Sequence, residues 1–138
     1  MENDTGTCLA EVRRLIRLSE KREPAAGRNA GTITRDGYRI EKLVIERKDE
    51  LPMPALLFVP DGNPGVKRTA TLYADGRGKE HDAKVGGEVE KLVGAGHIVL
   101  SVDLRGFGET SDGGSDAKYH NREHRVANLS MHIGRPLL

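Results

Sequence analysis

Apolar and polar residues follow two different periods along the chain, first that of a helix and later that of strands. Residues Cys8 to Lys21 are predicted to form an amphipathic helix, with Thr7 as its candidate N-cap. The glycine-rich, polar stretch from Gly27 to Gly37 is typical of a linker. We therefore predict an N-terminal helix and linker over residues 1–30 and a folded domain over residues 31–138.

Three strands are predicted at the start of the folded domain, over Tyr38 to Arg47, Pro54 to Val59 and Thr69 to Ala74. The apolar alternation in the first strand changes phase near Lys42, which indicates a bulge or a strong twist there. Because short connections join the three strands, we expect them to form an antiparallel meander.

The apolar period then becomes helical from Val85 to Val93, and the glycines around Ala95 end this helix. An apolar strand from Ile98 to Val102 follows. A strand, a helix and a strand within about 35 residues form a βαβ unit with parallel pairing. The predicted fold class is therefore α/β, with a mixed sheet whose opening strands are antiparallel. Residues Leu104 to His124 are predicted to form a surface loop.

Composition and charge exclude several classes of partner. The 22 basic and 21 acidic residues nearly cancel, so nothing favours binding to nucleic acid or to an anionic membrane. The single cysteine, Cys8, excludes an internal disulfide and a multi-cysteine zinc site. No signal peptide and no apolar run of about 20 residues is visible, which predicts a soluble, cytoplasmic chain.

Two loops carry the candidate chemistry. Asp75-Gly76-Arg77-Gly78 lies where a parallel strand hands over to a helix, and its backbone N–H groups can stabilise a phosphate or an oxyanion. The alternative is that its glycines only make the turn. The run Asp103-Leu104-Arg105-Gly106-Phe107-Gly108-Glu109-Thr110 leaves the next parallel strand at its carboxyl end, where open α/β sheets place ligands. An ion pair between Asp103 and Arg105 would fix this second loop.

Several segments resemble α/β-hydrolases of the acetyl xylan esterase and dienelactone-hydrolase-like branch. Residues 36–46 and 54–60 are similar to the opening strands of that family. The loop at Asp75 resembles its His-Gly-X-Gly turn, and residues 103–110 resemble its Asp-X-Arg-Gly-X-Gly-X-Ser loop. Residues 132–138 are similar to the stretch that leads into its next helix. The resemblance covers roughly residues 31–138.

The resemblance implies a role for each loop. The backbone N–H of Arg77, supported by Gly76 and Gly78, would be one of two oxyanion donors, and the other belongs to the residue after the nucleophile. The second loop would be structural, through its members Asp103, Arg105, Gly106 and Gly108. Two positions depart from the family: Asp75 replaces its usual histidine and Thr110 its frequent serine. The carboxylate of Asp75 would weaken an oxyanion site unless Arg77, Lys79 or another cation neutralises it.

The family's nucleophile motif, Gly-X-Ser-X-Gly, occurs nowhere in the 138 residues. We therefore assign no catalytic triad residue, and expect nucleophile, acid and histidine to lie downstream. The resemblance implies the N-terminal fragment of a serine-type carboxylic ester hydrolase, truncated before the nucleophile and inactive alone. Its expected substrate is a small ester or an acetylated carbohydrate, its partner is the rest of the hydrolase domain, and no cofactor or metal is implied.

Other interpretations remain open at this point. A serine peptidase of the prolyl-oligopeptidase kind opens with similar loops. A dinucleotide-binding domain would use Gly76-X-Gly78 and an acid at Asp103, although His81 replaces its third glycine. A zinc peptidase would use the His-X-X-Glu-His run at residues 120–124, with only His132 as a third ligand. A hydrolase remnant without catalytic function is the last alternative.

Overall fold

The computed structural model describes residues 3–15, 24–48, 51–63, 65–111 and 128–132. Within these ranges, five strands form one mixed sheet in the order β1-β2-β3-β5-β4. Their bounds are β1 (Ala26–Arg35), β2 (Tyr38–Glu46), β3 (Met53–Pro60), β4 (Ala70–Ala74) and β5 (Ile98–Val102). The helices are α1 (Asn3–Leu15), α2 (Glu88–Gly94), a 3-10 turn at Gly108–Thr110 and a helical stretch over residues 128–132. This architecture agrees with the predicted α/β class and its mixed sheet.

Strand β1 occupies the stretch from Gly27 to Gly37 that the composition predicts as a linker, so the linker prediction is wrong. β1 pairs antiparallel with β2, and a bulge between Asn29 and Gly31 lies opposite Lys42. The irregularity predicted near Lys42 is therefore present, but the extra residue belongs to β1. No side chain of β1 is buried, because the strand lies at the edge of the sheet. Backbone pairing and exposed side-chain contacts such as the Arg28–Glu46 ion pair hold it there, and apolar periodicity cannot reveal such a strand.

The predicted meander is correct for β2 and β3 and wrong for β4. β2 and β3 pair antiparallel, but the other neighbour of β3 is β5, also antiparallel. β4 pairs with β5 in parallel, from Ala70 opposite Ile98 to Ala74 opposite Val102, as the βαβ prediction requires. The position of β5 inside the sheet is consistent with its composition, because its Val99 and Val102 are buried. The more exposed β4 takes the edge instead.

The two main helices begin at other residues than the sequence predicts. α1 starts at Asn3, so Thr7 lies inside the helix and is not its N-cap. α2 starts only at Glu88, because Gly86, with a φ of +77°, interrupts the helical backbone before it. Val85 consequently lies outside α2 and is exposed. The predicted end of α2 is confirmed, since Gly96 follows it with a φ of +90°.

The core lies between α2 and one face of the sheet. It contains buried side chains from three strands and from the helix, namely Tyr38, Ile40, Leu56, Phe58, Val89, Val93 and Val99. The hydroxyl of Tyr38 donates to Oε1 of Glu90 at 2.7 Å and so ties α2 to β2. In the parts of the chain given above, no helix combines the length and apolarity that a membrane crossing needs.

Candidate functional site

The two candidate loops meet at one edge of the sheet. The Asp75 loop (residues 75–79) follows β4, and the Asp103 loop (residues 103–110) follows β5. Because β4 and β5 are parallel neighbours, their carboxyl ends lie side by side. The topology therefore brings together two loops that lie more than 20 residues apart in the sequence.

The carboxylate of Asp103 joins the two loops. It is 1% exposed and accepts three hydrogen bonds. The backbone N–H of Lys79 donates to Oδ1 at 2.6 Å and its Nζ to Oδ2 at 2.8 Å, while the N–H of Glu109 donates to Oδ2 at 2.9 Å. Nζ of Lys79 also donates to the carboxylate of Glu109, and Ser101 donates to the carbonyl oxygen of Lys79 at 3.1 Å. We call this set of contacts, which holds Lys79 between Asp103 and Glu109, the loop clamp.

Both charged groups at the centre of the clamp keep their charge. Burial acts to lower the pKa of Lys79, but hydrogen bonds to Asp103 and Glu109 outweigh it and hold that pKa above its ordinary value. Burial acts to raise the pKa of Asp103, but the ammonium and the backbone N–H of Lys79, with the N–H of Glu109, hold it below its ordinary value. The clamp is thus an ion pair at neutral pH.

Glycines allow the two loops to approach this closely. Gly78 has a φ of +98°, and a Cβ at this position would lie 2.8 Å from the Cα of Gly108. A Cβ at Gly108 would overlap the carboxylate of Asp103. Gly76 is less constrained, because a Cβ there would meet only the ring of Phe107 at 3.6 Å, an ordinary contact. The need for glycine is therefore steric at positions 78 and 108.

The backbone N–H of Arg77, the candidate oxyanion donor, has a partner within its own loop. It donates to Oδ1 of Asp75 at 2.7 Å. The guanidinium of Arg77 binds the same carboxylate, with Nε 2.8 Å from Oδ1 and Nη2 2.6 Å from Oδ2. Arg77 is thus the cation that neutralises Asp75. Lys79, the other candidate cation, binds Asp103 and Glu109 in the loop clamp instead.

A second carboxylate lies beside this pair. Oδ2 of Asp82 is 3.4 Å from Nη2 of Arg77 and accepts a hydrogen bond from the hydroxyl of Tyr73 at 2.6 Å. That hydrogen bond, together with burial, raises the pKa of Tyr73 to about 12. Nε2 of His81 lies 3.9 Å from the other oxygen of Asp82. The surroundings of the Asp75 loop are therefore charged, with two carboxylates around one guanidinium.

The Asp103 loop closes on itself through Thr110, one of the two positions at which the sequence departs from the pattern that it resembles. The threonine hydroxyl lies 2.6 Å from the carbonyl oxygen of Leu104 and 2.8 Å from that of Phe107. It supplies the hydroxyl that a serine would supply. The ion pair seen for Asp103 is with Lys79, whereas the sequence suggested Arg105. Nothing in the sequence indicates Lys79 as this partner, because the two residues are 24 positions apart.

The histidines that the structure describes do not form a metal site with these loops. Nδ1 of His97 lies 3.0 Å from the hydroxyl of Thr71, and His132 is exposed in the helical stretch 128–132. The His-X-X-Glu-His run at residues 120–124 lies outside the described residues. Among those that are described, no group of three or more histidine, cysteine, aspartate or glutamate side chains is arranged to hold a metal ion.

Comparison with known proteins identifies similar structures but no sequence family. No protein-family model and no curated protein matches the chain. A solved protein from Bacteroides fragilis, assigned as an acetyl xylan esterase, superposes with a TM-score of 0.65 and 18% identity, over 93% of this chain and 37% of that one. Acetyl xylan esterase 1 from Thermoanaerobacterium sp. superposes with a TM-score of 0.50 and 16% identity, over 91% of this chain and 45% of that one.

An acetyl xylan esterase from Paenibacillus sp. R4 gives a TM-score of 0.49 and 19% identity, over 77% of this chain and 33% of that one. At these identities the likeness concerns the fold. The chain spans 37% of the length of the Bacteroides fragilis protein. Its mixed sheet with helices is therefore an esterase-like fold, and the chain covers little more than a third of that structural neighbour.

Proposed function

We propose that this chain is the N-terminal portion of a serine-type carboxylic ester hydrolase similar to acetyl xylan esterases, and that its Asp75 loop contributes to the oxyanion hole. One observation carries the proposal. Two loops follow neighbouring parallel strands at one edge of an esterase-like sheet, and the loop clamp holds them together. Open α/β sheets bind ligands at the carboxyl ends of their strands.

The chemistry of the proposed enzyme divides between this chain and the rest of the domain. A serine supplied by the rest attacks the ester carbonyl, and the resulting tetrahedral oxyanion needs two N–H donors. In this proposal Arg77 supplies one donor and the residue after the serine supplies the other. An acyl-enzyme forms as the alcohol leaves, and water then releases the acid. The substrate is a small ester or an acetylated carbohydrate, and this chemistry requires no cofactor.

The free edge of β4 supports a role for further parts of the domain. Among the described residues β4 pairs on one side only, and its Leu72 is 70% exposed. Leu57, Leu100 and Leu72 stand in register across β3, β5 and β4, and so form an apolar row that ends at this edge. The other edge, β1, carries a bulge and the charges of Arg28 and Arg35, which discourage pairing. We propose that the remainder of the hydrolase domain adds its next strand to β4.

The other interpretations are less well supported. A dinucleotide-binding domain would need the carboxylate of Asp103 for a ribose hydroxyl, but this carboxylate is buried and accepts three hydrogen bonds within the protein. A serine peptidase of the prolyl-oligopeptidase kind would use the same loops, and its substrates distinguish it. A non-catalytic remnant would keep the fold without a downstream serine.

Hydrolysis of p-nitrophenyl acetate tests the proposal. We expect no turnover above background from the 138-residue chain, because it contains no Gly-X-Ser-X-Gly motif. The product of the longer reading frame should hydrolyse the ester and lose this activity to a serine-directed organophosphate. Organophosphate-sensitive turnover by the 138-residue chain itself, or an inactive longer product, would contradict the proposal. Comparison with a proline-containing peptide amide separates an esterase from a peptidase.

A further inference from the structure

The N–H that the proposed enzyme needs as an oxyanion donor is already bound to a carboxylate. An oxyanion donor acts when its nitrogen lies about 2.7–3.1 Å from the anionic oxygen. Oδ1 of Asp75 lies within this range, 2.7 Å from the backbone nitrogen of Arg77. A single N–H cannot serve two anionic oxygens at full strength. Asp75 thus takes the position relative to Arg77 that an external oxyanion would need.

This carboxylate is held by more than the backbone. The guanidinium of Arg77 binds both of its oxygens, at 2.8 and 2.6 Å, which is the bidentate geometry of a strong ion pair. Hydrogen bonds from the side chain and then from the backbone of Arg77 also hold the pKa of Asp75 well below its ordinary value. The group is therefore an anion at neutral pH.

The surroundings also disfavour a second anion. Asp82 lies 3.4 Å from the guanidinium of Arg77 and shares it with Asp75, so one cation already faces two carboxylates. The ammonium of Lys79 binds Asp103 and Glu109 in the loop clamp and so adds no free positive charge to the Asp75 loop. His81 stands beside Asp82 at 3.9 Å. An arriving acetate or oxyanion therefore meets an occupied N–H and a surplus of negative charge.

We propose that the carboxylate of Asp75 is an internal anion that occupies the backbone N–H of Arg77 and so closes the Asp75 loop to other anions. A carboxylate or an oxyanion reaches this N–H only after the Asp75 side chain has left it. This inference rests on the proposed function, because it concerns the same N–H. The side chains of Arg77 and Asp75 are 60% and 17% exposed, and neither belongs to the hydrophobic core, so the Asp75 side chain can leave the N–H without opening that core. Removal of the carboxylate should convert the loop into an open anion site.

The test is an acetate titration of the ¹⁵N-labelled 138-residue chain, at constant ionic strength, with the backbone amide of Arg77 as the NMR probe. The wild-type amide should show no saturable shift. The amide in Asp75→Ala should show a saturable shift. Its half-saturation should occur at an acetate concentration at least about tenfold lower than in Asp75→Asn, because one hydrogen bond changes the affinity by roughly tenfold. Asp75→Asn is the matched control, since it removes the charge but keeps an oxygen that can bind the N–H. Both variants remove the anionic partner at position 75 and leave Asp82 beside the guanidinium, so their difference reports on the backbone donor.

Unchanged amide signals of Lys79 and Glu109 report that the loop clamp is intact in each variant. Asp75→His, which restores the residue usual in the resembling family, is a second variant that should also respond to acetate. If self-association broadens the spectra, all variants are titrated with the additional substitution Leu72→Lys, which should reduce pairing at the edge of β4.

Two outcomes overturn the inference. A wild-type amide that shifts as in Asp75→Ala shows that the carboxylate does not close the loop, and the proposed esterase is unaffected. If the Arg77 amide shifts with acetate in neither Asp75→Ala nor Asp75→His, this N–H is not an anion site. That result would also contradict the proposed role of Arg77 in the oxyanion hole. The esterase assignment itself fails separately, through the activity of the longer reading frame.

Discussion

Lys79 and Asp103 form a buried ion pair, with Nζ of Lys79 2.8 Å from Oδ2 of Asp103 and side chains that are 4% and 1% exposed. The pair connects the loop after β4 to the loop after β5. Two charges removed from water are stable only while they face each other and their other hydrogen bonds are made. The pair is therefore the buried centre of the loop clamp, which the backbone N–H groups of Lys79 and Glu109 complete.

Replacement of Asp103 by asparagine should be strongly destabilising. Asp103→Asn leaves the buried ammonium of Lys79 with only the exposed carboxylate of Glu109, and breaking such a buried pair costs about 3–5 kcal/mol. Urea unfolding followed by tyrosine fluorescence measures this loss. The double variant Lys79→Met/Asp103→Asn should be more stable than the sum of the single effects predicts. Additive effects would show that the two charges do not interact.

Acid should lower the free energy of unfolding, because it protonates the carboxylate of Asp103. The folded pKa of Asp103 lies below its ordinary value of 3.8, so its contribution to the free energy of unfolding is present above that value. The contribution disappears as the pH falls through the lower folded value. We expect a nearly constant urea midpoint from pH about 7 to about 5 and a decline below about 4. Asp103→Asn should decline less steeply, and equal slopes would argue against this carboxylate as the source.

Close packing of the loops predicts a large effect for Gly78→Ala. The new Cβ would meet the backbone of Gly108 at 2.8 Å, and the residue would keep a φ of +98°. We expect a loss of about 2–5 kcal/mol from the clash and the backbone strain together. Gly86→Ala is the matched control, because Gly86 has a φ of +77° but open space around it. It should lose only about 1–2 kcal/mol, and equal losses would refute a steric role for Gly78.

The free edge of β4 predicts self-association of the isolated chain. Leu72 is 70% exposed on a strand without charges, and such an edge pairs readily with other strands. The chain should sediment as oligomers and bind a dye for apolar surfaces. Leu72→Lys should reduce both effects, whereas Ile33→Lys on the already protected edge strand β1 should change them little. A monodisperse wild-type chain that does not bind the dye would contradict this prediction.

The sequence predicts those parts of the fold in which local pattern and burial agree. The strands β2, β3 and β5 bury apolar side chains, and their apolar runs are visible in the sequence. β1 is not predicted because none of its side chains is buried, so that no apolar pattern marks the strand. The insertion of β5 between β3 and β4 is equally invisible, because strand order depends on contacts between distant residues.

The candidate site is likewise predicted from the sequence only in part. Glycines at positions 76, 78, 106 and 108 mark both loops in the sequence, and the parallel pairing that joins the loops follows from the βαβ pattern. The partners within the loops do not follow from it. Lys79 reaches Asp103 across 24 residues, and the N–H of Arg77 turns toward Asp75 two residues before it. Both are side-chain contacts that only the folded geometry determines.

The coding sequence after the codon for Leu138 tests the central claim most directly. If the chain is the N-terminal portion of a serine ester hydrolase, the same reading frame continues with an apolar strand and a Gly-X-Ser-X-Gly motif, followed by an acid and then a histidine. A reading frame that lacks this motif, or that stops directly after Leu138, would contradict the assignment to an active ester hydrolase.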